Sequence, residues 1–213
     1  GVALSDAVLA TDAVLAETDI PSELTVEIGG SYEDQQDMFS DLIMLLAMII
    51  ILVYIVMASQ FESFMSPFVI MFSIPFAFVG VFMGLWVTGT PLGTMGMIGI
   101  LILMGIVVKN GIVLIDYTIL MRERGHSVAE ASVIAANSRL RPILMTTLTT
   151  VLGMIPMAIG QGEGSEMWRS LGMVVAWGLS ISTLVTLVII PTVYASMASW
   201  QERRAARKAA RNA

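Results

Sequence analysis

The residues able to do chemistry in this chain are few, and the first of them is a lysine in an apolar setting. Lys109 is the first positively charged residue of the sequence, inside Ile98-Gly-Ile-Leu-Ile-Leu-Met-Gly-Ile-Val-Val-Lys109-Asn110-Gly-Ile-Val-Leu-Ile-Asp116. An ammonium at bilayer depth costs about 3 kcal/mol or more unless it is paired or hydrated, so its default reading is a transport or proton-relay group. Snorkelling to the interface or a purely structural pairing are the plainer alternatives. Asp116 follows seven residues later. On a helix it shares a face with Lys109 at about 10 Å, too far for a direct ion pair. It reads either as a relay entry or as a solvated helix end. Arg139, Thr146 and Gly153 repeat at the same spacing further along, and Thr146-Thr147-Leu-Thr149-Thr150 adds hydroxyls. Such hydroxyls bridge neighbouring membrane helices, relay protons, or bond back to their own helix and ease packing. No suitable carboxylate for Lys109 exists in the 213 residues.

Composition fixes the solvent for these groups. Hydrophobic residues make up 56% and charged residues 13% of the chain, and mean hydropathy is +0.84. That is a membrane composition. Uncharged stretches run over 42–61, 63–108, 142–162 and 170–201, each long enough for the roughly 20 residues of a spanning helix. The second holds two spans, parted at Thr88-Gly-Thr-Pro-Leu-Gly-Thr94, a Gly- and Pro-rich turn signal. Five transmembrane helices follow, at about 40–59, 66–87, 95–120, 142–160 and 169–197, the last holding Pro191. Ser127-Val-Ala-Glu130 fits a capping box and opens a short helix to about 137 at the membrane surface. Pro142, at a favoured first-turn position, then starts the fourth span.

Charge gives the orientation. Nine of the 11 Lys and Arg fall in two groups: Arg122, Arg124, Arg139 and Arg141, and then Arg203, Arg204, Arg207, Lys208 and Arg211. The positive-inside rule places both groups in the cytoplasm. Ten of the 17 acids lie in residues 1–41, with no Lys or Arg there. The N-terminus is therefore expected outside, and the negative net charge says nothing of nucleic acid. Residues 3–18 carry an apolar stripe of helical period, and Leu24-Thr-Val-Glu-Ile28 alternates as a half-buried strand does. One helix and one strand cannot bury a core. Residues 1–38 therefore read as an extracytoplasmic α+β remnant and the chain as a C-terminal fragment. Residues 39–200 are the bundle and 201–213 a basic tail suited to anionic lipid.

Seventeen Met could suit soft-metal export. They are scattered along the helices without Cys and with a single His, His126, so gap filling is the preferred reading. Gly80-x-x-x-Gly84 is a weak close-packing signal. Arg141 reads as a positive-inside anchor. No nucleophile constellation, metal cluster or phosphate loop is visible, so an enzyme is not expected and no cofactor is called for.

Three linked stretches carry a resemblance. Gly105-Ile-Val-Val-Lys109-Asn110-Gly-Ile-Val-Leu-Ile-Asp116-Tyr117, then Arg139-Leu-Arg141-Pro142-Ile-Leu-Met-Thr146-Thr147, then Leu152-Gly153-Met-Ile-Pro156 resemble the resistance-nodulation-division (RND) efflux permeases. The hydrophobe/amphiphile multidrug branch is the nearest match. Ala58-Ser-Gln-Phe-Glu62-Ser63-Phe, Pro67 and Ile74-Pro75 fit the same family.

The resemblance implies an all-α transmembrane bundle forming that family's eighth to twelfth spans, behind the end of a periplasmic porter domain. It implies a proton-driven pump of the bacterial inner membrane exporting hydrophobic or amphiphilic compounds. The expected assembly is a homotrimer working with a periplasmic adaptor and an outer-membrane channel. By its motif the relay lysine falls on Lys109, the relay arginine on Arg139 and the relay threonine on Thr146. Asn110 stands beside the lysine, and Asp116 where many members carry an acid. The family's paired aspartates belong to an N-terminal half and would partner Lys109. A half-size membrane protein acting as an assembly or regulatory subunit is the alternative of another class.

Overall fold

The computed structural model describes residues 4–18, 21, 31–160, 162 and 164–212. The chain forms two compact units, 1–45 and 46–213.

In the first unit, α1 (Leu4–Glu17) is helical as its periodicity requires. Its two threonine hydroxyls are turned back onto the backbone, Thr11 onto the Ala7 carbonyl and Thr18, just past the last turn, onto that of Val14. The strand expected at 24–28 lies outside the described residues. α2 (Ser31–Gln60) begins in this unit and ends in the second.

In the second unit the remaining helices are α3 (Met65–Met71), α4 (Ser73–Thr88), α5 (Thr94–Glu123), α6 (Val128–Ile159) and α7 (Ser165–Asn212). Five stretches are long and apolar enough to cross a membrane: Asp37–Gln60, Met65–Thr88, Thr94–Glu123, Val128–Ile159 and Met167–Trp200. No strand occurs among the described residues. The protein is an all-α transmembrane bundle.

Glycine ends two of these helices by the same device. Gly89 (φ 62°) follows α4, with its N–H on Trp86 and that of Thr90 on Leu85; Gly125 (φ 94°) follows α5, with its N–H on Arg122 and that of His126 on Met121. Both are Schellman caps, in which a left-handed residue lets the last carbonyls find donors. At the start of α6 the Ser127 and Glu130 capping box is formed on both sides.

Prolines act differently from what local sequence suggests. The expected second span is two helices, α3 and α4, parted at Phe72. Pro75 has no N–H to give the carbonyl four residues earlier, that of Met71, so the ladder breaks there. Conversely, the expected short helix over 127–137 and the span from Pro142 are one helix. α6 runs unbroken through Pro142 and Pro156. A proline inside a membrane helix is tolerated where neighbouring helices and hydroxyls re-satisfy the freed groups. α7 likewise continues through Pro191 and into the basic tail as far as Asn212.

α7 is the spine of this unit, packing against α3, α4, α5 and α6. It runs antiparallel to α6, since Gly172 meets Ala158 and Thr183 meets Thr147. It runs parallel to α5, since Gly178 meets Leu103 and Ile190 meets Gly111. Small residues set the approach: a Cβ on Gly80 would stand 3.0 Å from the Trp177 carbonyl, and one on Gly84 2.4 Å from the Trp177 side chain. Without a hydrophobic force between helices in lipid, this closeness is what dispersion attraction needs. Val174, Val175 and Leu179 are wholly enclosed at the seam. Outward faces carry Ile51, Ile55, Phe82, Trp86 and Leu152, all exposed and apolar, as contact with acyl chains requires.

Candidate functional site

α5 packs chiefly against α7 and α6, but one stripe stays open. Ile102, Gly105, Lys109 and Asp116 are all exposed, at spacings of three, four and seven residues. A Cβ added to Gly105 would meet nothing within 4 Å. The lysine therefore stands on an unshielded face with Asp116 two turns along it. No hydrogen bond or ion pair joins Lys109 to another described residue.

Two hollows flank it. On one side a groove of about 360 Å³ is lined by Lys109, Asn110, Pro142, Ile143, Thr146, Thr147 and Thr150, with Ile106, Val113 and Leu179. On the other an apolar hollow of about 250 Å³ lies between Lys109 and the α2 residues Leu52, Val53, Val56 and Met57. The ammonium stem can thus rest on carbon while its head meets hydroxyls.

Within the groove the threonines divide. Thr146 is exposed and its hydroxyl donates into the backbone, 2.9 Å from the Ile143 carbonyl and 3.2 Å from that of Pro142. Thr149 and Thr150 bond back to Met145 and Thr146. Thr147 is the one that bridges helices: its hydroxyl lies 3.1 Å from that of Thr183 on α7. A turn further along α7, the buried Thr186 hydroxyl has no partner among the described residues.

The structure brings Lys109, Asn110 and Thr146 together and sets Asp116 and Arg139 apart from them. Arg139 does not line the groove. Its guanidinium lies over the Tyr117 ring, 4.6 Å from the centroid. Arg141, by contrast, is exposed. Sequence reading missed Tyr117 and Thr183 as partners, because neither stands at a helical spacing from what it touches. At the α5 end of the bundle, Arg122 Nη1 donates to the hydroxyl of the buried Tyr194 at 3.1 Å.

A lysine on an open stripe at mid-helix, beside a hydroxyl-lined groove in a five-span bundle, is the architecture of a polytopic transport protein. The chain belongs to the AcrB/AcrD/AcrF family, whose sequence profile matches residues 1–198, the RND permeases that its motifs resemble. It is 39% identical over 209 residues to the swarming motility protein SwrC of Bacillus subtilis, covering 96% of this chain and 20% of that protein. With the multidrug resistance protein MdtC of Proteus mirabilis it shares 34% over 215 residues, 99% of this chain and 21% of MdtC. With the cobalt-zinc-cadmium resistance protein CzcA of Cupriavidus metallidurans it shares 42% over 110 residues, 52% of this chain and 10% of CzcA. A crystal structure of a heavy metal efflux pump superposes with a TM-score of 0.79 at 32% identity, covering 93% of this chain and 20% of the pump. The chain thus spans about a fifth of the length of SwrC and MdtC and, in the CzcA alignment, a tenth of CzcA. Both metal and multidrug proteins stand among these relatives.

Proposed function

We propose that this chain is the part of a proton-driven RND efflux permease that carries the relay lysine, with Asn110, Thr146 and Arg139 in supporting roles. The observation that carries this reading is Lys109 itself: a mid-span ammonium on an open helix face, beside hydroxyls and without a carboxylate partner among the described residues. Such a charge needs an acid from outside these helices, and a pair of membrane aspartates facing the open stripe of α5 supplies it. Protonation of those aspartates weakens their hold on the ammonium. The lysine then turns toward the groove and the helices shift. Asp116, nearer the basic end of α5, gives water and protons an entry.

The permease sits in the inner membrane with the acidic N-terminal segment outside and the basic connections inside. It works as a homotrimer with an adaptor and an outer-membrane channel. Its cargo is hydrophobic or amphiphilic. The multidrug-branch motifs support that cargo. Lys109→Met in the whole permease tests the relay. Efflux is abolished and trimer assembly kept if the reading holds; pumping at the wild-type rate sinks it. Parallel efflux assays with a lipophilic cationic dye and with zinc decide the cargo.

A further inference from the structure

The Arg139 guanidinium is held in a way that the relay scheme does not describe. Its Nε is enclosed and has no hydrogen-bond partner among the described residues. An enclosed charged donor without an acceptor is unfavourable unless another group balances the charge. The group facing it is the Tyr117 ring, with the guanidinium carbon 4.6 Å from its centroid. A ring face carries partial negative charge, and a planar guanidinium stacks on it well.

The depth of this contact follows from the register of the helices. Thr147 of α6 faces Thr183 of the antiparallel α7, and Gly111 of α5 faces Ile190 of the same α7, which runs parallel to α5. From the groove at Lys109 and Thr146, Tyr117 lies eight residues along α5 and Arg139 seven residues back along α6. Both steps lead toward the same end of the bundle, to one level about two turns below the groove. The guanidinium thus stands between the groove and the basic end, fixed from α5 while belonging to α6.

We propose that Tyr117 is a positioning residue for proton transfer, its ring face holding the Arg139 guanidinium in line with the groove that contains Lys109 and Thr146. This rests on the relay role of Arg139 proposed above. The ring face does the holding, so the phenol hydroxyl is dispensable and the aromatic quadrupole is not.

The test is made in the whole permease, reconstituted with an imposed pH gradient. Tyr117→Phe keeps the maximal efflux rate, whereas Tyr117→Leu lowers it about tenfold with KM and trimer content unchanged. Because Tyr117→Leu removes packing as well, phenylalanines bearing one, two and three ring fluorines are also placed at 117. These keep shape while draining the ring face of charge, and the rate falls stepwise through the series. A flat fluorine series, or Tyr117→Leu at the wild-type rate while Arg139→Gln is inactive, overturns the positioning role and leaves the relay standing. Arg139→Gln at the wild-type rate overturns the relay role of Arg139, and the proposal with it.

Discussion

Thr147 and Thr183 share a hydroxyl–hydroxyl hydrogen bond of 3.1 Å across the seam of α6 and α7, directly behind the groove that contains Lys109. Both side chains are buried. In hydrocarbon such a pair is worth about 0.6 kcal/mol on average. Thr147→Val alone leaves the Thr183 hydroxyl unsatisfied and is expected to destabilise the bundle by about 1 kcal/mol. The double change to valine at 147 and 183 recovers most of that loss. Unfolding in mixed micelles by titrated SDS measures both.

The glycine seam of α4 predicts a larger effect. A Cβ at 84 would sit inside the Trp177 side chain, so Gly84→Ala must push the helices apart, at about 1–3 kcal/mol. Gly153 faces open space, so Gly153→Ala is expected to be neutral or to stabilise α6 by up to about 1 kcal/mol. Thermal melting of the two variants in one detergent should move in opposite directions or leave Gly153→Ala unmoved.

The capping box at Ser127 gives a third expectation. Its hydroxyl accepts from the Glu130 N–H at 3.4 Å while the Glu130 carboxylate accepts from the Ser127 N–H at 3.2 Å. Ser127→Ala costs about 1 kcal/mol. Hydrogen exchange should show faster opening of the first turns of α6 and no change near 150.

Pro142 sets stability against activity. Pro142→Ala restores a donor to the helix interior and removes a cost of about 3 kcal/mol. The same change alters the turn whose Pro142 and Ile143 carbonyls hold the Thr146 hydroxyl. The variant is expected to melt higher and pump more slowly. A variant that pumps as fast as wild type at the higher melting temperature would show that the proline plays no part in transport.

The spans were legible because bilayer thickness imposes a length that composition reveals directly. The shared face of Lys109 and Asp116 was legible because seven residues make nearly two helical turns. Gly80-x-x-x-Gly84 was legible as a packing signal, though not its partner Trp177. Pro142 misled because a proline suits a first helical turn and is also tolerated inside a membrane helix, and only the packing on both sides decides. The pairing of Tyr117 with Arg139 was illegible for a linked reason. It joins two helices across the Gly125 turn, and it exists only because α6 already runs as one helix at residue 139.

The continuity of α6 also has a mechanical side. A helix of 32 residues is about 48 Å long, well beyond the roughly 30 Å of hydrocarbon. The left-handed Gly125 precedes its Val128 end, and Arg139, Thr146 and Gly153 lie along one side at a spacing of seven. Had a loop parted 137 from 142, a displacement at the membrane surface would have died out in slack chain. One continuous helix instead passes a displacement at residue 139 on to Thr146 and Ile159 with no slack chain between them.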